Sequence, residues 1–341
     1  DARLSWLTGF TGSAGFCAAL KNSAGVFADG RYRLQVKQQV DACFTPVDWP
    51  ETGLSEWMLA QDPKPRTLGF DPWLHTVSEV ETLRQKLMDQ IQLIPVAENL
   101  IDRIWPNQPA MSNQPIIAHP LEYAGESTSD KRARCAVILK QAADQSAFLS
   151  LTDSIAWLLN IRGADIPRVP VALCFAILHQ SGAVELFIDP NATADFTFDT
   201  QITVQPHDAL VTRLSNLTGT VRIDPASCPD AVAALLREGG CDLRYDEDPC
   251  ALPKACKNPV EIAGTKTAHL RDAGAMCEFL AWLDAHPTNS LTEIDVVRTL
   301  EGFRRATNAL KDISFDTICG AGPHGAIIHY RVTEDTNRAI R

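Results

Sequence analysis

The sequence predicts an α/β protein: two tandem copies of one α/β domain, then a third unit that opens with two helices and runs into strands. Three observations carry this. Short segments recur in the same order at a nearly constant offset. Within each copy, β-branched and aromatic runs alternate with stretches of helical period. After residue 257 the pattern changes to one long helix, a second helix and two apolar runs around a Gly/Pro-broken loop.

The recurrence is specific in its order. Trp6-Leu7-Thr8-Gly9-Phe10 aligns with Trp157-Leu158-Leu159-Asn160-Ile161, an offset of 151 residues. Val26-Phe27-Ala28-Asp29-Gly30 aligns with Leu186-Phe187-Ile188-Asp189-Pro190 at 160, and Leu68-Gly69-Phe70-Asp71-Pro72 with Val221-Arg222-Ile223-Asp224-Pro225 at 153. In the first copy, residues 25–28 read as a strand closed by the Asp29-Gly30 turn. A helix follows with Tyr32, Val36 and Val40 on one face. Asp71 is expected to cap a helix that takes Pro72 in its first turn and turns Trp73, Val77, Val80, Leu83 and Leu87 inward. The second copy repeats this toward a helix over 231–236, after a helix over 130–143 has opened it. Trp6 and Trp157 read as core. A Pro/Asn/Gln/Ser-rich linker over 106–120 separates the copies, giving domains at 1–118, 119–256 and 257–341.

The third unit starts at Asn258-Pro259-Val260-Glu261, where a cap residue, a first-turn proline and an early carboxylate coincide. That helix runs to about His286, with Ile262, His269, Ala273, Met276, Leu280 and Leu283 as its inward stripe. No carboxylate or cysteine is spaced to make His269 a ligand, so it reads as a core histidine. A second helix begins at Ser290 or Thr292 and buries Val297, Leu300 and Phe303. Residues 314–331 (Ser-Phe-Asp-Thr-Ile-Cys-Gly-Ala-Gly-Pro-His-Gly-Ala-Ile-Ile-His-Tyr-Arg) then read as strand, wide turn, strand. Alternation places Ile327 and His329 on one face and Ile328 and Tyr330 on the other. Pattern alone leaves His329 open: a strand histidine with a hydrogen-bond partner, or a binding group at the mouth of a Gly-rich loop.

Totals exclude several functions. The 341 residues are 45% apolar and 21% charged, an ordinary globular balance for two or three domains. A net charge of −11 with no Lys/Arg stripe argues against nucleic acid as a partner. Apolar runs such as 171–178 are too short for a membrane span, and no secretion signal is evident. Ten cysteines form no CxxC pair and no Cys/His zinc spacing. Scattered on apolar runs, as Cys17, Cys174, Cys277 and Cys319 are, they read as small hydrophobes in a reducing, cytoplasmic compartment. The chain begins at Asp1 without methionine and stops at Arg341 just past a predicted strand, so a fragment is expected.

Residues 314–331 resemble the entry to the catalytic domain of the Xaa-Pro aminopeptidases (aminopeptidase P), marked by SF-x-T-I…G-P-x-G-A-I-I-H-Y. The resemblance runs along the chain from Trp6-Leu7-Thr8-Gly9-Phe10-Thr11-Gly12-Ser13-Ala14-Gly15 onward. It implies two creatinase-like N-terminal domains and the beginning of a pita-bread α+β metallopeptidase domain. It also implies removal of an N-terminal residue from peptides with proline second, and a homodimer. The family's I-H-Y histidine lines the substrate site, which makes His329 the expected substrate-binding residue. The imide nitrogen of an Xaa-Pro bond carries no N–H, and the family supplies electrophilic help from two divalent ions, typically manganese, held by two Asp, one His and two Glu. The first of these ligands falls just after this sequence ends. Hence no catalytic or metal-binding residue is assigned here, no bound ion is expected, and the 341-residue portion alone is expected to be inactive. Gly9, Gly12 and Gly15 spell no phosphate loop and read as turn residues. Arg162-Gly163-Ala164-Asp165 matches the family's R-G-x-D, read as a structural Arg–Asp pair at a domain junction. His324 departs from the usual Asn or Thr of G-P-x-G. The competing readings are a prolidase or creatinase relative, and a metal-free pseudo-peptidase serving as a protein- or peptide-binding module.

Overall fold

A computed structural model describes residues 2–287 and 289–341. The first unit contains α1 (Ala2–Thr8), β1 (Gly15–Ala19), β2 (Ala24–Ala28), α2 (Arg33–Gln39), β3 (Thr45–Asp48), α3 (Leu54–Leu59), β4 (Thr67–Phe70), α4 (Val77–Leu87), β5 (Gln92–Pro95) and α5 (Leu100–Ile104). β2 lies between antiparallel β1, with Gly15 opposite Ala28, and parallel β3, with Ala28 opposite Asp48. Its side chains alternate between two buried faces. Phe27 joins Ala18, Val47, Met58 and Leu87, whereas Val26 and Ala28 join Phe10, Tyr32 and Val36. β4 and β5 form a separate parallel pair.

The second unit repeats this order within one larger sheet. It comprises β6 (Ile117–Ala118), α6 (Leu121–Ala124), α7 (Thr128–Gln141), β7 (Ser146–Leu149), α8 (Thr152–Leu158), β8 (Ile161–Arg162), β9 (Phe175–His179), β10 (Val184–Phe187), β11 (Ile202–Gln205), α9 (Ala209–Ser215), β12 (Thr220–Ile223), α10 (Asp230–Glu238), β13 (Asp242–Tyr245) and α11 (Ala251–Ala255). Six strands run β11-β10-β9-β7-β12-β13. An antiparallel pair (β9, β10), a parallel neighbour (β11) and a parallel pair (β12, β13) repeat the pairing of β1, β2, β3 and of β4, β5. Here β7 joins them by pairing with both β9 and β12. The sheet is covered on both faces, with Ala147, Leu149 and Leu186 on one side and Phe148, Ile177 and Phe187 on the other.

The two copies meet through equivalent segments. Val77 N–H donates to Cys228 O (3.0 Å) and Asp230 N–H to His75 O (2.9 Å), while Ser78 N–H donates to Pro225 O (2.9 Å) and Ala231 N–H to Pro72 O (2.9 Å). Each bond maps onto its reciprocal under the 153-residue offset, as an isologous contact requires. The duplication is therefore also a pseudo-two-fold interface. Val77 crosses it: the side chain is buried in the second copy's core with Phe148, Phe187, Ile223 and Val232.

The third unit is α12 (Pro259–Asp284) and α13 (Glu293–Ala306), followed by an extended segment. Asn258 caps α12, its Oδ1 accepting from Val260 and Glu261 N–H while Glu261 returns to the Asn258 amide. Thr292 caps α13 in the same way with Asp295.

Several local expectations change. The strands over 314–331 do not form; this stretch is irregular apart from a short 3-10 turn, Gly322–Ala326. No described strand lies alongside to pair with it, and an isolated two-stranded hairpin is marginal in water. His329 adopts φ 58°, which breaks the extended alternation expected there. Asp71 accepts from Trp73 N–H in a turn, and the helix starts six residues later on a Thr76–Glu79 capping box. On α12 the buried residues are Ala275 and Phe279; Ile262, His269, Ala273 and Leu280 are exposed, so His269 is no core residue. The reason is the position of the partner: Phe279 packs with Val296 and Leu300 of α13, displaced around the helix from the stripe of best apolar period. Trp157 is core, but Trp6 is partly exposed and stacks on Trp105 (centroids 5.1 Å, 15°).

Candidate functional site

The site grows from α13. Its first-turn Glu293 is fully buried and accepts from Ala321 N–H (2.6 Å). His324 Nδ1 lies 2.9 and 3.0 Å from the two carboxylate oxygens, and the Tyr330 hydroxyl is 3.3 Å from Oε2. The His324 and Tyr330 rings stack (centroids 4.4 Å, 27°). Burial pushes the Glu293 carboxyl up, but the Ala321 amide, the His324 hydrogen bond and charge, and Tyr330 together hold it below the ordinary range. Gly322, at φ 56°, allows the loop to turn inside this frame.

Next to Tyr330, His329 is exposed and faces the first domain. Its ring lies against Tyr32 (centroids 5.8 Å, 49°), a buried side chain whose hydroxyl is 2.6 Å from Ser13 Oγ and whose edge meets Phe10. The Asp29-Gly30 turn that ends β2 brings Asp29 and Arg31 to the same place. Arg31 Nη2 donates to Asp29 Oδ2 (2.6 Å), and the Arg31 amide also donates to Asp29 Oδ1 (3.0 Å). The Arg31 hydrogen bond holds the Asp29 carboxyl below its usual range despite some burial, and the nearby His329 imidazole adds to this. An exposed imidazole, a buried tyrosine ring and an Asp-paired guanidinium thus come together where the first and third domains meet. Among the described residues no group of three or more His, Cys, Asp or Glu is arranged to hold a metal ion. None of the described residues is assigned to a two-ion centre.

Other sequence candidates fall elsewhere. Arg162 and Asp165 do not form the expected pair: Asp165 accepts from Gln114 and Leu173 N–H (2.9 and 2.8 Å), and Arg162 donates to Ile161 O (2.8 Å). Short carboxylates next to turns are readily taken by backbone amides. At this junction Lys131 is buried against Trp157 O (3.0 Å) and Asn160 Oδ1 (2.7 Å). Burial, with Arg162 and Lys131 nearby, pushes the His119 imidazole down to about 4. Asn258 Nδ2 ties α12 to the second domain through Ala124 O (2.7 Å). A cavity of about 270 Å³ lies away from His329, between α12 and the end of α13, lined by Arg271, Asp272, Arg304 and Lys311 among others. Glu293 and Arg31 were not singled out from sequence. An acidic residue in a first helical turn is too common to announce its burial, whereas the Asp-Gly-Arg-Tyr turn could have flagged Arg31.

Comparison with known proteins supplies the remaining frame. Two models described as the creatinase/prolidase N-terminal domain match residues 1–104 and 107–261, and metallopeptidase family M24 matches 263–341. A probable Xaa-Pro aminopeptidase P of Talaromyces marneffei is 33% identical across 97% of this chain and 53% of its own length. Aminopeptidase P1 of Arabidopsis thaliana is 30% identical across 97% of this chain and 59% of its own length. The chain spans about half the length of the curated relatives it matches. Among solved structures, the X-prolyl aminopeptidase of Caenorhabditis elegans, described as a cytosolic enzyme with a di-nuclear active site, superposes with a TM-score of 0.90 at 26% identity. That match covers 99% of this chain and 58% of the nematode chain.

Proposed function

The chain belongs to the creatinase/prolidase-type metallopeptidases of family M24, and we propose on that premise that the whole protein is an Xaa-Pro aminopeptidase. It would release the first residue from peptides with proline second. Relatives named aminopeptidase P match nearly the entire chain, and the nematode X-prolyl aminopeptidase shares its three-unit arrangement. The observation in this chain that carries the reading is His329, exposed where the third domain meets Tyr32 of the first. In this role the imidazole binds the peptide and orients it by a hydrogen bond to a backbone carbonyl. Tyr32 backs the imidazole, and Arg31 lies beside it, paired with Asp29. A donor aimed where oxyanion charge develops contributes more to the transition state than to the ground state.

A dinuclear centre, read as manganese, would supply Lewis-acid help, and no described residue is assigned to it. The domains are placed at 1–118, 119–256 and 257–341. The protein is read as cytoplasmic and homodimeric. The nematode enzyme is described as cytosolic, and no helix among the described residues is long and apolar enough to cross a membrane. The test is amino-acid release from Xaa-Pro-Pro and Xaa-Ala-Pro peptides by the full-length protein with and without Mn²⁺. Mn²⁺-stimulated release confined to the Xaa-Pro substrate is expected. No release from either peptide would favour the pseudo-peptidase reading.

A further inference from the structure

Resting on the peptidase reading, we propose that Glu293 is a positioning residue for His329, and that His324 is the clamp through which it holds the loop. Three stretches of one loop converge on this carboxylate: its start through Ala321 N–H, its middle through His324 and its end through Tyr330. The Tyr330 hydroxyl also lies 2.9 Å from Thr336 Oγ1, and the His324 ring stacks on Tyr330. Among the described residues no strand pairs with this loop, and this polar frame holds it. The frame is itself anchored, because Glu293 N–H donates to Arg338 O (3.0 Å) and Ile294 N–H to Asn337 Oδ1 (3.1 Å).

His329 depends on that frame. It sits at φ 58°, exposed, and its ring lies against Tyr32 with Asp29 nearby. Its immediate neighbour Tyr330 is the residue Glu293 holds. A buried carboxylate left without its donors is costly, so Glu293 and its three donors stay together. The carboxyl is held below its ordinary range by the amide and by His324, so it accepts hydrogen bonds as the ion at neutral pH. The groups facing it are Tyr330 and His324 from the loop and Cys319 just before it, while Arg338 faces Tyr330.

The experiment uses the full-length protein and an Xaa-Pro-Pro peptide. E293Q and H324A are expected to lower kcat/KM between about ten- and a hundred-fold, mainly in kcat, as misplacement of a binding group does. H324N, whose amide N–H replaces the imidazole Nδ1–H, is expected to recover most of the loss. The double variant E293Q/H329A should be no slower than H329A alone. Effects that multiply, H324A matching the wild type, or H324N as poor as H324A would each overturn the proposal. If E293Q fails to fold, the H324A and H324N pair decides. Should the wild type release nothing, the peptidase reading fails, and the His329 imidazole NMR signals still decide this one. Signals moved by H324A and restored by H324N support positioning, and signals unchanged by H324A refute it.

Discussion

Val77→Ala tests whether the two α/β copies share a core. Val77 belongs to the first copy's α4, yet it is 3% exposed among second-copy residues Phe148, Phe187, Ile223 and Val232. Losing two methyl-sized groups forfeits about 1.6 kcal/mol of transfer free energy. A residual cavity of ~40 Å³ adds about 1 kcal/mol. The sum, about 2–3 kcal/mol, falls on whichever unit owns the core. Hydrogen exchange read by mass spectrometry on full-length protein locates the loss. Peptides covering β12 and α10 should exchange about 30- to 150-fold faster, since each 1.4 kcal/mol is tenfold. Val137→Ala, at a half-exposed position, is the control. If exchange rises only within residues 77–95 while 220–238 keep their protection, the shared core is refuted.

Three further perturbations follow from the packing. Asp144 is fully buried and accepts from Arg222 Nε (2.8 Å) and from Arg244, so Asp144→Ala takes the buried carboxylate from Arg222 and leaves it the more exposed Asp246 and the Glu247 carbonyl. A loss of about 3–5 kcal/mol is expected in thermal unfolding, and a change under about 1 kcal/mol would show the triad to be dispensable. His119 has its pKa depressed to about 4 by burial and by Arg162 and Lys131, against an ordinary value of 6.5. Its contribution is complete above pH 6.5 and is lost as pH falls toward 4, because the unfolded chain binds the proton more tightly. His119→Gln should therefore flatten the stability–pH curve in that window, and an unchanged slope would count against it. Gly125 sits at φ 67°, where a Cβ would meet Asn258 Oδ1 at 2.4 Å and Val260 Cβ at 2.8 Å. Gly125→Ala should cost about 2 kcal/mol or more, from the left-handed backbone and a displaced cap. Accelerated exchange at residues 258–262 is the readout.

The duplication was legible because each copy repeats the same buried strand and the same Asp-Pro turn, signals that depend on local order alone. The cap of α12 was legible for the same reason, since Asn258 and Glu261 act within one turn, whereas the start of α13 stayed open between Ser290 and Thr292. What the sequence could not reveal depends on partners. The inward face of α12 is set by where α13 lies, and an apolar period cannot report that. Residues 314–331 have strand composition, but strands form only beside other strands. Trp6 and Trp157 occupy equivalent positions with unlike burial, since α7, through Lys131 and Arg134, covers only the second. His329 was found through the motif that contains it. Its companions Tyr32 and Arg31 lie roughly three hundred residues away, and Glu293 hides among ordinary first-turn acids.

The most direct measurement is kcat/KM of full-length wild type and H329A on an Xaa-Pro-Pro peptide, with unfolding curves recorded for both. A fall of about 100- to 1000-fold, without a shift in unfolding midpoint, is expected of a solvent-facing imidazole that meets the substrate. Rates within twofold of each other would contradict the placement of the proline-peptide site at His329.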